Sequence, residues 1–290
     1  MEVVPTGTGV GAEIRGIDIR QPQPAATITD ILAAWLEHQV FIVRRQPMTH
    51  QQHLDFTRHF GELELTGYNL FTANYTKDRV GNFDPTIPPE MSIISNIVID
   101  GKPIGSLGYG EALWHTDSSL VECPPAGGFL RSVEVPPAGG STHFMDMYEV
   151  LDRLPDRLRQ QIEGRKILHP ASHTSAGEPR KGFEHVDDIT KLPGTQHPIV
   201  RTHPGTGRQA LYLGRRKNSS IVDMALEESE MLLDTLWAHA VKHGPVYQHD
   251  WTVGDLVVWD NRCVMHRRDA FDPNARRLMH RTNIKGERPF

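Results

Sequence analysis

From Trp114 to Trp259 the chain alternates short β-like runs with turns, among them Gly128-Phe-Leu-Arg-Ser-Val, Ala210-Leu-Tyr-Leu and Leu256-Val-Val-Trp. Runs this short must pair with one another to bury their apolar side chains. The pattern therefore points to a β-sandwich or barrel core with helical decoration, as in a jelly roll. Two helical stretches interrupt it, Tyr148 to Gly164 and Leu226 to Gly244. Upstream, Val10 to Ile19 reads as a glycine-broken strand and Thr29 to His38 as a short capped helix. Val40-Phe-Ile-Val-Arg reads as a buried strand, and Thr49 three residues before Gln52 as a capping box that opens a helix ending near Gly61. Residues 62–112 lack periodicity and carry the Pro85 to Pro89 cluster, so they are expected as surface loops rather than core. His173 to Gln196 reads as a mobile insertion. Both stretches are candidate lids on one domain spanning 1–290.

The 290 residues are 38% hydrophobic and 23% charged with a formal net charge of −5, as in an ordinary folded protein. Acidic residues outnumber basic ones and the signs are interleaved, which argues against a nucleic-acid partner. The opening Met1 to Gly7 has neither a positive start nor a long apolar run, and no later stretch could span a bilayer. A cytoplasmic location is the expectation. Two cysteines, Cys123 and Cys263, are too few for a disulfide framework or a Cys-based zinc site.

Sixteen histidines carry more information. His115-Thr116-Asp117 follows Trp114 at the start of a predicted strand, where period-2 geometry sends His115 and Asp117 to one face, so that both can meet one metal. The same His-x-Asp spacing recurs at His53-Leu54-Asp55 and His185-Val186-Asp187. The first of these falls in a predicted helix, where residues two apart diverge by about 200°. The second falls in the polar insertion.

Support for His115 comes from the C-terminal block Gly254-Asp-Leu-Val-Val-Trp-Asp-Asn-Arg-Cys-Val-Met-His266-Arg-Arg-Asp-Ala-Phe and the following Arg276-Arg277-Leu-Met-His-Arg281. This block resembles the TauD/TfdA family of Fe(II)- and 2-oxoglutarate-dependent dioxygenases. Gly11 to Asp18, Phe60-Gly-Glu-Leu, Pro124-Pro-Ala-Gly and Pro198 to Pro204 extend the likeness along most of the chain. The resemblance implies a facial triad of His115, Asp117 and His266 that holds iron(II), leaving three positions for a 2-oxo acid and dioxygen. It implies that Arg277 pairs with the distal carboxylate of 2-oxoglutarate through a planar fork of donors, assisted by Thr142. Adjacent Arg276 would face the other way on a strand.

The resemblance also places Arg281 on the substrate anion, on the same face as Arg277. Thr66 and Asn69 stand where taurine-oxidising relatives have a histidine and a tyrosine, which argues against taurine. Glu111, with Tyr68 or Tyr109, could receive the cationic end of a zwitterion. The run Arg215-Arg216-Lys217 offers further anion contacts or a solvated face. The implied reaction hydroxylates or otherwise oxidises a C–H bond of a small anionic substrate, a carboxylate, sulfonate or phosphonate, and releases succinate and carbon dioxide. Relatives often form homodimers or homotetramers. Two competing readings are a zinc hydrolase using the same histidines and a non-catalytic binding protein on a jelly-roll shell; the intact set His115, Asp117, His266 and Arg277 argues against the latter, since nothing in packing requires all four.

Overall fold

A computed structural model describes residues 1–65, 86–180, 182–183 and 185–290. Among these, an eight-stranded sheet runs in the order Glu2–Pro5, Ala12–Arg15, Val40–Val43, Leu256–Asp260, Gly127–Glu134, Leu278–Ile284, Met91–Ser95, Ser106–Leu107. A four-stranded sheet runs Val246–His249, Thr142–Asp146, Val264–Arg268, Ala112–His115. The central strands of the large sheet are buried on both faces, which is why they read as unbroken apolar runs. Val40, Ile42, Leu130, Val257 and Met279 join Phe144, Met145, Val264 and Met265 of the small sheet in one core. Their neighbours Phe41, Val43, Phe129, Leu256 and Val258 pack with Ile28, Ile31, Trp35 and Phe56 of two helices in a second. The period-2 alternation of the strands thus splits the interior into two layers.

Those helices are Ala25–His38 and His50–Arg58. The capping box is present: Thr49 accepts from the Gln52 backbone N–H, and the Gln52 side chain from that of Thr49. The first helix starts four residues before Thr29, behind Pro24, and has no side-chain cap; Thr29 donates instead to the Ala25 carbonyl within the helix. Pro24 brings a preset φ to that start. The stretch from Tyr148 to Gly164 is two helices, Met147–Asp152 and Asp156–Ile162, broken at Pro155. Leu226–His243 forms as expected. Only Ala12–Arg15 of the Val10 to Ile19 stretch is strand.

The expectation of surface loops over 62–112 is corrected in its second half. Met91–Ser95 is a buried strand of the large sheet, paired antiparallel to Leu278–Thr282. One short strand buried on both sides has no alternation to betray it among prolines and glycines. In the insertion, Gly194–Pro198 pairs with Lys166–Pro170, so its last three residues belong to a sheet. No described helix is long and apolar enough to cross a membrane.

Two features lock the Leu256–Asp260 strand. Gly128 lies opposite Trp259, and a Cβ there would stand 2.3 Å from the indole, so glycine lets the ring lie flat on the neighbouring backbone. Asp260 accepts from both Nε and Nη2 of Arg262, at 2.8 and 2.7 Å, and from His203 Nε2 at 3.0 Å. Burial alone would raise the Asp260 carboxyl, but Arg262 and His203 outweigh it and hold it well below the usual carboxylate range.

Gly128→Ala should cost about 2–3 kcal/mol by overpacking, read as a lower urea midpoint. The depressed Asp260 carboxyl contributes stability that is complete above the unfolded carboxylate pKa of about 4 and is lost as pH falls toward the folded value. Between pH 6 and pH 3 the wild type should therefore lose more stability than Asp260→Asn, measured by denaturant titration; parallel losses would remove Asp260 from this role.

Candidate metal centre and anion sites

His115 ends the strand Ala112–His115 and lies directly opposite His266 on the adjacent antiparallel strand. This pairing brings two distant parts of the chain to ring-centroid contact at 4.2 Å. Asp117 lies beyond the strand's end, in a turn followed by Ser118 at φ 50°. Its return to the histidines is thus the work of the turn rather than of strand alternation. Asn261 sets that turn: its Oδ1 accepts from Asp117 N at 2.9 Å, and its Nδ2 donates to the Asp117 and Pro125 carbonyls at 3.0 and 2.9 Å. Trp259 lies against the His266 ring at 4.8 Å, and Phe144 stacks on it at 6.1 Å. The Trp-Asp-Asn-Arg sequence therefore backs one ligand, ties down its own turn and clamps another ligand. Nothing in the sequence alone assigns Asn261 that clamp.

Nε2 of His115 and Nε2 of His266 each stand 3.7 Å from an Asp117 oxygen. The three donor atoms lie within 4.8 Å of one another, and all three residues are buried. Neighbouring donors on an octahedral ion with bonds of about 2.1 Å lie about 3 Å apart, so small side-chain shifts suffice to close on a metal. His115 Nδ1 donates to the Leu113 carbonyl at 2.6 Å, which leaves the Nε2 lone pair inward. Burial and the neighbouring His115 push His266 down to about 3, so its imidazole is neutral. Burial tends to raise Asp117, but Arg281, His266 and His115 hold it well below its ordinary value as a carboxylate. Its Oδ1 accepts from Arg281 Nη1 at 3.1 Å, whereas Oδ2 is buried with no partner. An ionised, half-satisfied carboxylate beside the neutral His266 and the inward-facing Nε2 of His115 fits a divalent ion. The donor set suits iron(II) and leaves three positions open.

A second buried group, His203, Asp260 and Cys263, also gathers metal-ligating atoms. It is a closed hydrogen-bonded knot: His203 Nδ1 accepts from the backbone of Gly205 and Thr206, and Asp260 is filled by Arg262 and His203. The other His-x-Asp pairs do not converge. Asp55 is exposed and pairs with Arg58 while His53 is buried, and His185 and Asp187 are both exposed.

Arg277 is 2% exposed, and its Nε and Nη1 are buried without partners. Burial, with Arg268 nearby, pushes it down to about 9, still charged at neutral pH. Arg276 points outward to Glu134 at 2.7 and 2.9 Å, opposite to Arg277 as expected, although both residues precede the strand that begins at Leu278. Thr142 is buried, and its Oγ1 accepts from Trp251 Nε1 at 2.9 Å, which leaves its own proton to donate. Arg281 is engaged by Asp117 itself. Glu111 stands outside the centre, with a 51% exposed side chain and Arg267 at 3.6 Å, and Tyr109 is 52% exposed. The structure thus brings neither of them to the metal residues. Thr66, Tyr68 and Asn69 lie outside the described residues.

The basic run divides. Arg216 is a surface ion-pair residue held by Glu230 and Asp234. Arg215 turns inward: its Nε is buried and unpartnered, and Nη1 reaches the His173 carbonyl only at 3.4 Å. Gly214, its neighbour, accepts from the Thr116 N–H at 3.0 Å, so Arg215 adjoins the metal turn. Burial pushes it down to about 10, and it feels the charges of Asp117 and Arg281. Only the tertiary fold separates two adjacent arginines in this way.

The chain matches the family model described as taurine catabolism dioxygenase TauD, TfdA family, over residues 2–283. It is 33% identical to the alpha-ketoglutarate-dependent 2,4-dichlorophenoxyacetate dioxygenase of Cupriavidus pinatubonensis, across 93% of this chain and 92% of that protein. Pentalenolactone F synthase of Streptomyces arenae is also 33% identical, across 96% and 93%. Among solved structures, AAD-2 in complex with Mn(II) and N-oxalylglycine matches with a TM-score of 0.78 at 28% identity, covering 99% of this chain and 98% of that one. With the metal residues, the buried arginines and the whole-length likeness in agreement, the chain belongs to the TauD/TfdA family and is an Fe(II)- and 2-oxoglutarate-dependent dioxygenase.

Proposed function

We propose that this dioxygenase oxidises a C–H bond of a small organic anion beside His115, Asp117 and His266. The observation that carries this reading is the buried group of His115, Asp117 and His266 with Arg281 and Arg215 beside its carboxylate, each with a buried, unpartnered Nε. Iron(II) held by those three residues would supply open coordination positions and a redox couple through which dioxygen takes two electrons from 2-oxoglutarate, giving succinate and carbon dioxide, and two from the substrate C–H bond. Arg277 takes the distal carboxylate of 2-oxoglutarate through Nε and Nη1, and the Thr142 hydroxyl donates to the same group. His115 is kept in one tautomer by Leu113, and Arg281 holds Asp117 ionised and oriented.

Arg281 and Arg215 are the substrate-anion residues in this reading. The relative named for 2,4-dichlorophenoxyacetate acts on a carboxylate, which suits two guanidiniums. Glu111, occupied by Arg267, lends no support to a cationic group on the substrate. The segment 173–196 is a fitting lid, since His173 and Ser175 hydrogen-bond to Arg215 and Leu113 beside the site. We read the two facing sheets as a double-stranded β-helix forming one dioxygenase domain. Two unpaired cysteines accord with the reducing cytoplasm.

Anaerobic difference absorption with Fe(II) and then 2-oxoglutarate should develop the visible charge-transfer band of a bound 2-oxo acid. Asp117→Ala should abolish metal binding, while Arg277→Gln should keep the metal and weaken 2-oxoglutarate by about 30-fold or more, the cost of stranding a buried charged partner. No band in the wild type, with calorimetry also silent, would sink the reading.

A further inference from the structure

Arg268 ends the strand Val264–Arg268 and sits directly opposite Thr142 in the antiparallel register. It is 5% exposed. One nitrogen, Nη2, donates to the Leu107 carbonyl at 3.0 Å and to that of Gly110. Its Nε and Nη1 are buried with no partner, as are the same two atoms of Arg277. The guanidinium carbons of Arg268 and Arg277 stand 5.4 and 5.9 Å from the centre of one ring, Phe271. Among the described residues no carboxylate pairs with either.

Two like charges buried around one phenyl ring repel each other, and each has given up water without a full set of acceptors. Such an arrangement costs several kcal/mol unless an anion completes it. A carboxylate offers about four lone-pair sites. A fork from one arginine uses two of them and leaves the others for a second guanidinium and a hydroxyl. Arg268 and Thr142 present those donors from paired strands of the small sheet, and Arg277 from the residue just before the Leu278–Ile284 strand of the large one.

We propose that Arg268 is a second cosubstrate-binding arginine, gripping the distal carboxylate of 2-oxoglutarate together with Arg277 and Thr142. This rests on the dioxygenase reading above. A competing role is purely structural, because Nη2 also ties down the segment that leads into the His115 strand. The two roles separate by comparing 2-oxoglutarate with 2-oxovalerate, which keeps the 2-oxo acid end and carries a methyl group in place of the distal carboxylate.

Dissociation constants for both acids are measured anaerobically on the Fe(II)-loaded protein by calorimetry and absorption. Arg268→Gln should weaken 2-oxoglutarate by about 10- to 100-fold, the size of a lost charge-assisted hydrogen bond, and 2-oxovalerate by less than about twofold, a change within the scatter of a distant surface substitution. Equal losses for the two acids, or no loss, would overturn the assignment. Arg268→Lys keeps the charge but not the fork; it should show the same selectivity in milder form, and it carries the test if the glutamine variant does not fold. A wild type that fails to bind 2-oxoglutarate at all would overturn the dioxygenase reading, and this assignment with it, whereas tight wild-type binding with an unaffected variant overturns the assignment alone.

Discussion

The antiparallel pairing of Val264–Arg268 with its two neighbours is the contact on which the site depends: its register with Ala112–His115 sets His115 against His266, and its register with Thr142–Asp146 sets Arg268 against Thr142. A slip of one residue would turn each of these side chains to the opposite face of the sheet. The register is held from behind by the core of both sheets, in which Trp259 and Phe144 lie against His266. Asn261 then carries the order of the large sheet to the turn that holds Asp117. The metal residues are therefore positioned by groups whose own rotamers are locked, which is what preorganised chemistry requires.

Around that register the electrostatics are lopsided. Asp117 is buried with Arg281 bonded to it and Arg215 within reach of its charge, while Arg268 and Arg277 lie beside one ring, Phe271, with no carboxylate paired to either among the described residues. A fold seeking stability alone would replace such residues by apolar ones of similar size. Their burial is what the proposed anion sites, one for the cosubstrate and one for the substrate, would explain. The knot of His203, Asp260 and Arg262 shows the contrast: there the same residue types are fully satisfied by one another and serve to fix the strand end.

Much of this was legible along the chain. The Thr49 capping box, the strand Val40–Val43 and the long helix Leu226–His243 follow from local patterns, and local forces suffice to form them. Arg276 turns outward and Arg277 inward, as alternation on a strand would have them, although the strand itself begins only at Leu278. Met91–Ser95 escaped notice because burial on both faces removes the alternation by which a strand is recognised. The start of the first helix at Pro24 escaped because a favourable Thr29 sits within reach of a capping role that its hydroxyl does not take.

The His-x-Asp spacing by itself left three candidate pairs, and it was the likeness of the C-terminal block to the TauD/TfdA family that singled out His115, Asp117, His266 and Arg277. What the tertiary structure decided was which charges are left without partners. Arg215 and Arg216 are neighbours of one type, yet the fold sends the first into the site and gives the second to Glu230 and Asp234. Arg268 is one of two adjacent arginines, and only its place opposite Thr142 and beside Phe271 reveals two buried donors waiting for an acceptor. Burial and pairing depend on contacts between segments far apart in the chain, so no local pattern records them.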